Sequence, residues 1–201
     1  MMTTRPRPDT ADSGHKPVML DEVLAALDVQ DGDRIVDGTF GGGGYTRAIL
    51  TAAKCAVFAI DRDLDAIMRA EALAAQTDRI TPLLGRFGEM DALVEATGCD
   101  SVDAVVLDIG VSSFQIDEGH RGFSFNKDGP LDMRMGAAGP TAADVVNYMD
   151  EGDLANVIFR LGEEKQARRI ARQIIQRRKE RFFDTTLDLA QTVETAVGGR
   201  K

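Results

Sequence analysis

Three aspartates each close a short apolar run: Asp37 ends RIVD, Asp61 ends AVFAID and Asp108 ends VDAVVLD. After the first comes a loop in which Gly38, Gly41, Gly42, Gly43 and Gly44 fill five of seven positions, directly before a helical pattern. Glycine is poor in either regular element, so such a run marks a place where backbone must come close to something else. No Lys follows these glycines, which excludes a phosphate-binding P-loop. The dinucleotide fingerprint G-x-G-x-x-G also fails, because Thr46 and Arg47 stand where its third glycine belongs. Asp61 nevertheless lies about 20 residues beyond the loop, the spacing of an acid that grips ribose hydroxyls. A nucleoside grip without a pyrophosphate cradle suits S-adenosylmethionine, which carries an adenosine and an amino-acid tail but no phosphate.

These residues need a scaffold, and the rest of the first half supplies its pattern. A fourth apolar run, ITPLL from Ile80, joins the three above, and the helical patterns VMLDEVLAAL, YTRAILTAA, LDAIMRAEALAA and EMDALVEAT alternate with the runs. Strands apolar on both faces, alternating with helices, predict an α/β fold of parallel βαβ units. Ligands in such sheets bind at the carboxyl edge, where the three aspartates would sit. After Ser112 the pattern changes to a long aperiodic segment, SSFQIDEGHRGFSFNKDGPLDMRMGAAGP. A capping-box-like start at Thr141 and Asp144 follows, then VVNYM, DLANVIFRL, EEKQARRIARQIIQRRK and LDLAQTVETAV, all helical in period. The expected organisation is a disordered lead-in over 1–14, a Rossmann-like domain over 15–112 and a helical module over 113–201.

Composition fits a globular protein without a membrane span: 43% of residues are apolar and 28% charged, and no apolar run approaches 18 residues. Cys55 and Cys99 have neither metal nor redox spacing, no His/Cys/carboxylate cluster predicts a metal, and a cytoplasmic setting is the expectation. The net charge of −9 is unevenly spread. Residues Lys165 to Arg181 carry eight Lys/Arg against the single Glu180. Ile170, Ile174 and Ala167 share a face of that helix, leaving Arg168, Arg169, Arg172, Arg178 and Lys179 to point elsewhere, and clustered cations in an acidic chain favour phosphate contact. The segment Arg121 to Met135 mixes Phe123 and Phe125 with Arg121, Lys127 and Arg134, the residue types that hold unpaired RNA bases.

HKPVM (His15 to Met19), DGTFGGGG, AIDRD, LDIGVSS and RGFSFNKDGPLDMRM together resemble the MraW/RsmH family, from about His15 to the end of the chain. The resemblance implies a class I methyltransferase with an inserted helical domain, which uses S-adenosylmethionine to methylate the N4 amine of a decoding-centre cytosine in 16S rRNA of the small ribosomal subunit. Carried over by position, it implies cofactor contacts at Gly43, Gly44, Tyr45, Asp61, Phe87, Asp108 and Gln115, with Asp108 also beside the reacting amine and His15 near the active site. Tyr45 stands where the family often has His, and Phe114 where it often has Pro. The family also continues with further strands and helices, so the sequence matches an N-terminal half together with the helical module.

The chemistry of the residues agrees with attack by an exocyclic amine. Methylation at C5 of cytosine needs a covalent nucleophile, and neither Cys55, opening a strand, nor Cys99, in TGCDS, is placed for one. An amine can displace a sulfonium methyl directly, provided the protein aligns the two and offers an acceptor for the amine protons. Asp108 is the candidate acceptor. The competing expectations are a non-catalytic RNA-binding or ribosome-assembly module and an NAD-type oxidoreductase, the latter disfavoured by the broken glycine fingerprint.

Overall fold

The computed structural model describes residues 17–199; His15 and the 1–14 lead-in lie outside them. Contacts divide the chain into two compact units, one ending at Asp108 and the other beginning at Ile109.

The first unit is built on four parallel strands, β1 (Arg34–Asp37), β2 (Ala56–Asp61), β3 (Ile80–Leu84) and β4 (Ala104–Val106). Their order is β3-β2-β1-β4. Four helices, α1 (Leu20–Leu27), α2 (Gly44–Ala52), α3 (Leu64–Ala74) and α4 (Met90–Glu95), accompany them. Successive strand residues serve opposite faces. Ile35 and Val57 pack with Tyr45, Ile49 and the apolar side of α1, while Ala59 meets Ala66 and Ala70 of α3. On the other face Val36, Phe58 and Ile60 pack with Val94 of α4. Burial on both faces explains why the central strands β1 and β2 read as continuous apolar runs rather than alternating ones. The chain runs outward from β1 through β2 to β3 and then returns to β4 on the far side of β1. Loops after β1 and β4 therefore diverge at a topological switch point, the crevice where open α/β sheets bind ligands. The glycine loop is the loop after β1.

The second unit is helical: α5 (Ser113–Asp117), α6 (Ala142–Tyr148), α7 (Glu151–Gly162), α8 (Ala167–Arg178) and α9 (Thr186–Val197). Its core joins Leu131, Val146, Leu154, Ile170, Ile174, Phe183 and Ala196. Thr141 caps α6 as its spacing predicts: its Oγ1 accepts the Asp144 N–H at 3.0 Å and Asp144 accepts the Thr141 N–H at 2.8 Å. Two local expectations change. The sequence EEKQ does not open α8, because Glu163 adopts φ 52° as the C-cap of α7 and the chain turns there before α8 packs back on α7. The segment after Ser112 is not wholly aperiodic either. Ser112 and Gln115 form a reciprocal capping box that starts α5, an S-x-x-Q signal present in the sequence.

The rest of that segment is tied down by its own backbone. Leu131 N–H donates to Asp184 O at 2.9 Å, and Thr186 N–H donates to Gly129 O at 3.0 Å. A side chain at Gly122, which has φ +75°, would collide with the Pro130 carbonyl and the Asp132 N–H. The cations here brace the loop. Arg134 grips Asp132 through Nε and Nη2 at 2.8 and 2.6 Å, Arg121 donates to Arg134 O, and Lys127 donates to Asp117 O. Arg134 thereby holds the Asp132 carboxyl below the usual carboxylate range. Of the two phenylalanines, Phe125 is 71% exposed and Phe123 is half-buried.

Candidate functional site

The first strand ends at a fully buried acid. Asp37 Oδ2 accepts the Thr46 hydroxyl at 2.7 Å and Oδ1 accepts the Thr39 N–H at 3.3 Å. Burial pushes its carboxyl up to about 6; the Thr46 and Thr39 bonds oppose the rise, and the neighbouring Asp61 charge adds to it. Asp37 thus joins the end of β1 to the first turn of α2, fixing where that helix begins.

The loop between them is stitched to both neighbouring strands. Gly38 N–H donates to Val106 O at 3.0 Å, Phe40 N–H to Ile60 O at 3.1 Å, and Asp108 N–H to Thr39 Oγ1 at 2.7 Å. Asp61 holds the outer part: its Oδ2 accepts the Gly41 N–H at 2.8 Å and its Oδ1 the Asp63 N–H at 2.9 Å. Two arginines bind the loop's carbonyls, Arg69 Nε to Gly41 O at 3.1 Å and Arg47 Nη1 to Gly42 O at 2.6 Å. Gly43 then starts α2 at φ +76°, and a Cβ there would press into the Phe40 ring at 2.6 Å. A Cβ on Gly44 would collide with the Pro17 ring. Part of what approaches this backbone is therefore the chain itself, and a ligand at Gly43 or Gly44 would meet main-chain atoms.

The remaining expected residues separate by position. Tyr45 turns inward: its ring is buried with Leu20, Val23 and Ile49, and its hydroxyl donates to Val18 O. Burial raises the phenol, with the Asp108 and Asp37 charges adding to the effect. Phe87 opens a short 3-10 turn after β3 and is 39% exposed, so it is not a core phenylalanine. Its Cβ lies 3.2 Å from where a side chain on Gly38 would begin. Asp108 does not end a strand. The β1–β4 ladder ends at Val106, whose carbonyl takes the last rung from the Gly38 N–H; the Asp108 N–H then turns to the Thr39 hydroxyl, and Asp108 is exposed. Gln115 belongs to the second unit, where its side chain accepts the Ser112 N–H at 3.0 Å.

Asp61, Phe87 and Asp108 thus surround the glycine loop at one edge of the sheet. An ionised carboxyl can accept about four hydrogen bonds, so Asp61, with two taken by backbone, retains capacity for two hydroxyls. Asp37 was visible only as a strand-ending acid; its bond to Thr46, nine residues on, depends on the fold.

A Rossmann-like α/β unit with a glycine loop at the switch point, flanked by strand-end acids, defines the class. Residues 12–201 match the model of the MraW methylase family, and the chain belongs to that family. Among its relatives, ribosomal RNA small subunit methyltransferase H of Hyphomonas neptunium is 66% identical over 200 residues, covering 100% of this chain and 58% of its own length. The protein of the same name from Parvibaculum lavamentivorans is 57% identical over 186 residues, covering 92% of this chain and 55% of its own. That of Rhodospirillum centenum is 54% identical over 199 residues, covering 98% and 60%. The chain spans a little over half the length of these relatives.

Proposed function

We propose that this chain carries the cofactor half and a substrate-recognition module of an S-adenosylmethionine-dependent methyltransferase acting on the N4 amine of a cytosine in 16S rRNA of the small ribosomal subunit. The observation that carries the reading is Asp61, which anchors the glycine loop through the Gly41 N–H and still has acceptor sites for a ribose. When bound, S-adenosylmethionine supplies an electrophilic methyl on a sulfonium. Around it, Asp61 accepts the ribose hydroxyls and Phe87 covers an adenine with its exposed face. Backbone at Gly43 to Tyr45 meets the amino-acid tail. Asp108 accepts an N–H of the target amine, which keeps the nitrogen lone pair out of ring conjugation and aligned for in-line displacement. With the cofactor bound, Asp108 or water would take the proton that the amine gives up on receiving the methyl.

The test is calorimetric titration with S-adenosylmethionine, with NAD as the competing ligand and Asp61→Ala alongside. Micromolar binding to S-adenosylmethionine alone, lost at least tenfold in the variant, is the expected result. Equal or tighter binding of NAD, or an unchanged Asp61→Ala affinity in a folded protein, would refute the cofactor assignment.

A further inference from the structure

We infer that Tyr148 and Phe182, in the helical unit, form a stacking platform for an unpaired base of single-stranded RNA. The inference rests on the RNA-methyltransferase reading and names where its substrate strand is held. The two rings meet edge to face, with centroids 5.4 Å apart and planes at 80°. Tyr148 is nonetheless 67% exposed and Phe182 48%. A corner of this kind offers one ring face to a base and sets the second ring against the base's edge.

The chain holds this exposed pair from both sides. Asn147, next to Tyr148, donates from Nδ2 to Phe183 O and accepts the Phe183 N–H, each at 2.9 Å. Both Asn147 and Phe183 are buried, so the neighbours of the two rings are locked together. Arg178 adds a second tie, its Nη1 donating to Val146 O at 2.9 Å and Met149 O at 2.8 Å, on either side of Tyr148. Preorganisation of this kind reduces the entropy lost when a base stacks.

Charge selects the occupant. Beside Phe182 in sequence stand the exposed cations Lys179 and Arg181, with the acids Glu180 and Asp184 among them. Arg181 leans on Asp188 at 3.0 Å, but that carboxylate is gripped first by Arg177 at 2.6 Å. Exposed rings beside cations, in a chain of net charge −9, fit a phosphate-bearing strand whose bases are free to stack. A duplex hides its base faces and is excluded.

The sequence provides its own probe, since it has two tyrosines and no tryptophan, and Tyr45 is buried in the other unit. Tyrosine emission is to be followed while the chain is titrated with a short mixed-sequence single-stranded RNA, and separately with its duplex. The single strand should quench the emission and the duplex should not. Tyr148→Phe should keep the affinity but lose the quench. Tyr148→Ala and Phe182→Ala should each weaken binding about 5- to 150-fold, with the circular dichroism of the folded chain unchanged. If the wild-type chain binds the single strand and both alanine variants bind equally well, the platform is refuted while the RNA reading stands. If the wild-type chain binds neither RNA, both fall together.

Discussion

Asp37 makes a prediction whose sign runs against the usual behaviour of a hydrogen-bonded carboxylate. Burial raises it from 3.8 to about 6, so within the fold the protonated form is favoured. Between those two values the folded state binds a proton that the unfolded chain has already released, and stability must fall as pH rises. Below about 4 both states are protonated and the effect vanishes; above about 6 both are ionised and the full penalty, about 3 kcal/mol, stays constant. Asp37→Asn removes the titration while keeping an acceptor for the Thr46 hydroxyl. The difference in stability, variant minus wild type, should therefore rise by about 2 kcal/mol between pH 4 and pH 6.5, most of the full span of about 3 kcal/mol, and level off above about pH 7. Other carboxyls cancel in that difference. Urea unfolding would be followed through Tyr45 emission in a Tyr148→Phe background, where the remaining tyrosine reports the first unit alone. A difference that is flat from pH 4 to 7, or one that falls, would refute the burial argument.

Two other perturbations follow from the helical unit. Asn147→Ala strands the buried N–H and C=O of Phe183 and should cost about 2–4 kcal/mol in chemical denaturation; a loss below about 0.5 kcal/mol would mean that water replaces the amide. Reversing Arg168 and Arg172 to Glu should weaken single-stranded RNA binding and flatten its dependence on log salt by about 0.7 for each phosphate left without a cation. Arg172 meets Glu151 only at 3.7 Å with both side chains exposed, so that reversal should barely change stability. Unchanged affinity and slope would remove the stripe from the interface.

How far these residues could be foreseen depends on the distance over which each one acts. β1 and β2 were legible to the residue because a strand buried on both faces must be apolar, and its end shows as the first charge after the apolar run; β3, a half-buried edge strand, was legible from its apolar run before Gly85. Asp61 was legible for the related reason that a strand, a loop and a helix of ordinary length fix the separation of consecutive strand ends. Asp108 was placed wrongly as a strand terminus, two residues too far, because apolar composition continues through Leu107 after the ladder has ended at Val106. There the Asp108 N–H leaves the sheet for the Thr39 hydroxyl, 69 residues upstream.

The basic stripe shows the same limit more sharply. Helical period assigned Ala167, Ile170 and Ile174 to the core and its cations to the outside, and the first part holds, since all three are buried. Of the cations, Arg168, Arg169, Arg172 and Lys179 do face solvent, but Arg178 does not: it is half-buried and spends its guanidinium on two carbonyls at the C-terminal end of α6. Its neighbour Arg177, likewise half-buried, reaches Asp188 and lies 5.0 Å over the Phe183 ring. Charge alone cannot distinguish an arginine that awaits a phosphate from one that closes a helix end, because both need the same donors on a long stem. The distinction lies in the partners, which in this unit are 29 to 36 residues away in sequence for the Arg178 and Asn147 bonds. It follows that the stripe's role divides along the helix: Arg177 and Arg178 build the surface on which Tyr148 and Phe182 stand, and the solvent-facing cations are left to meet what binds there.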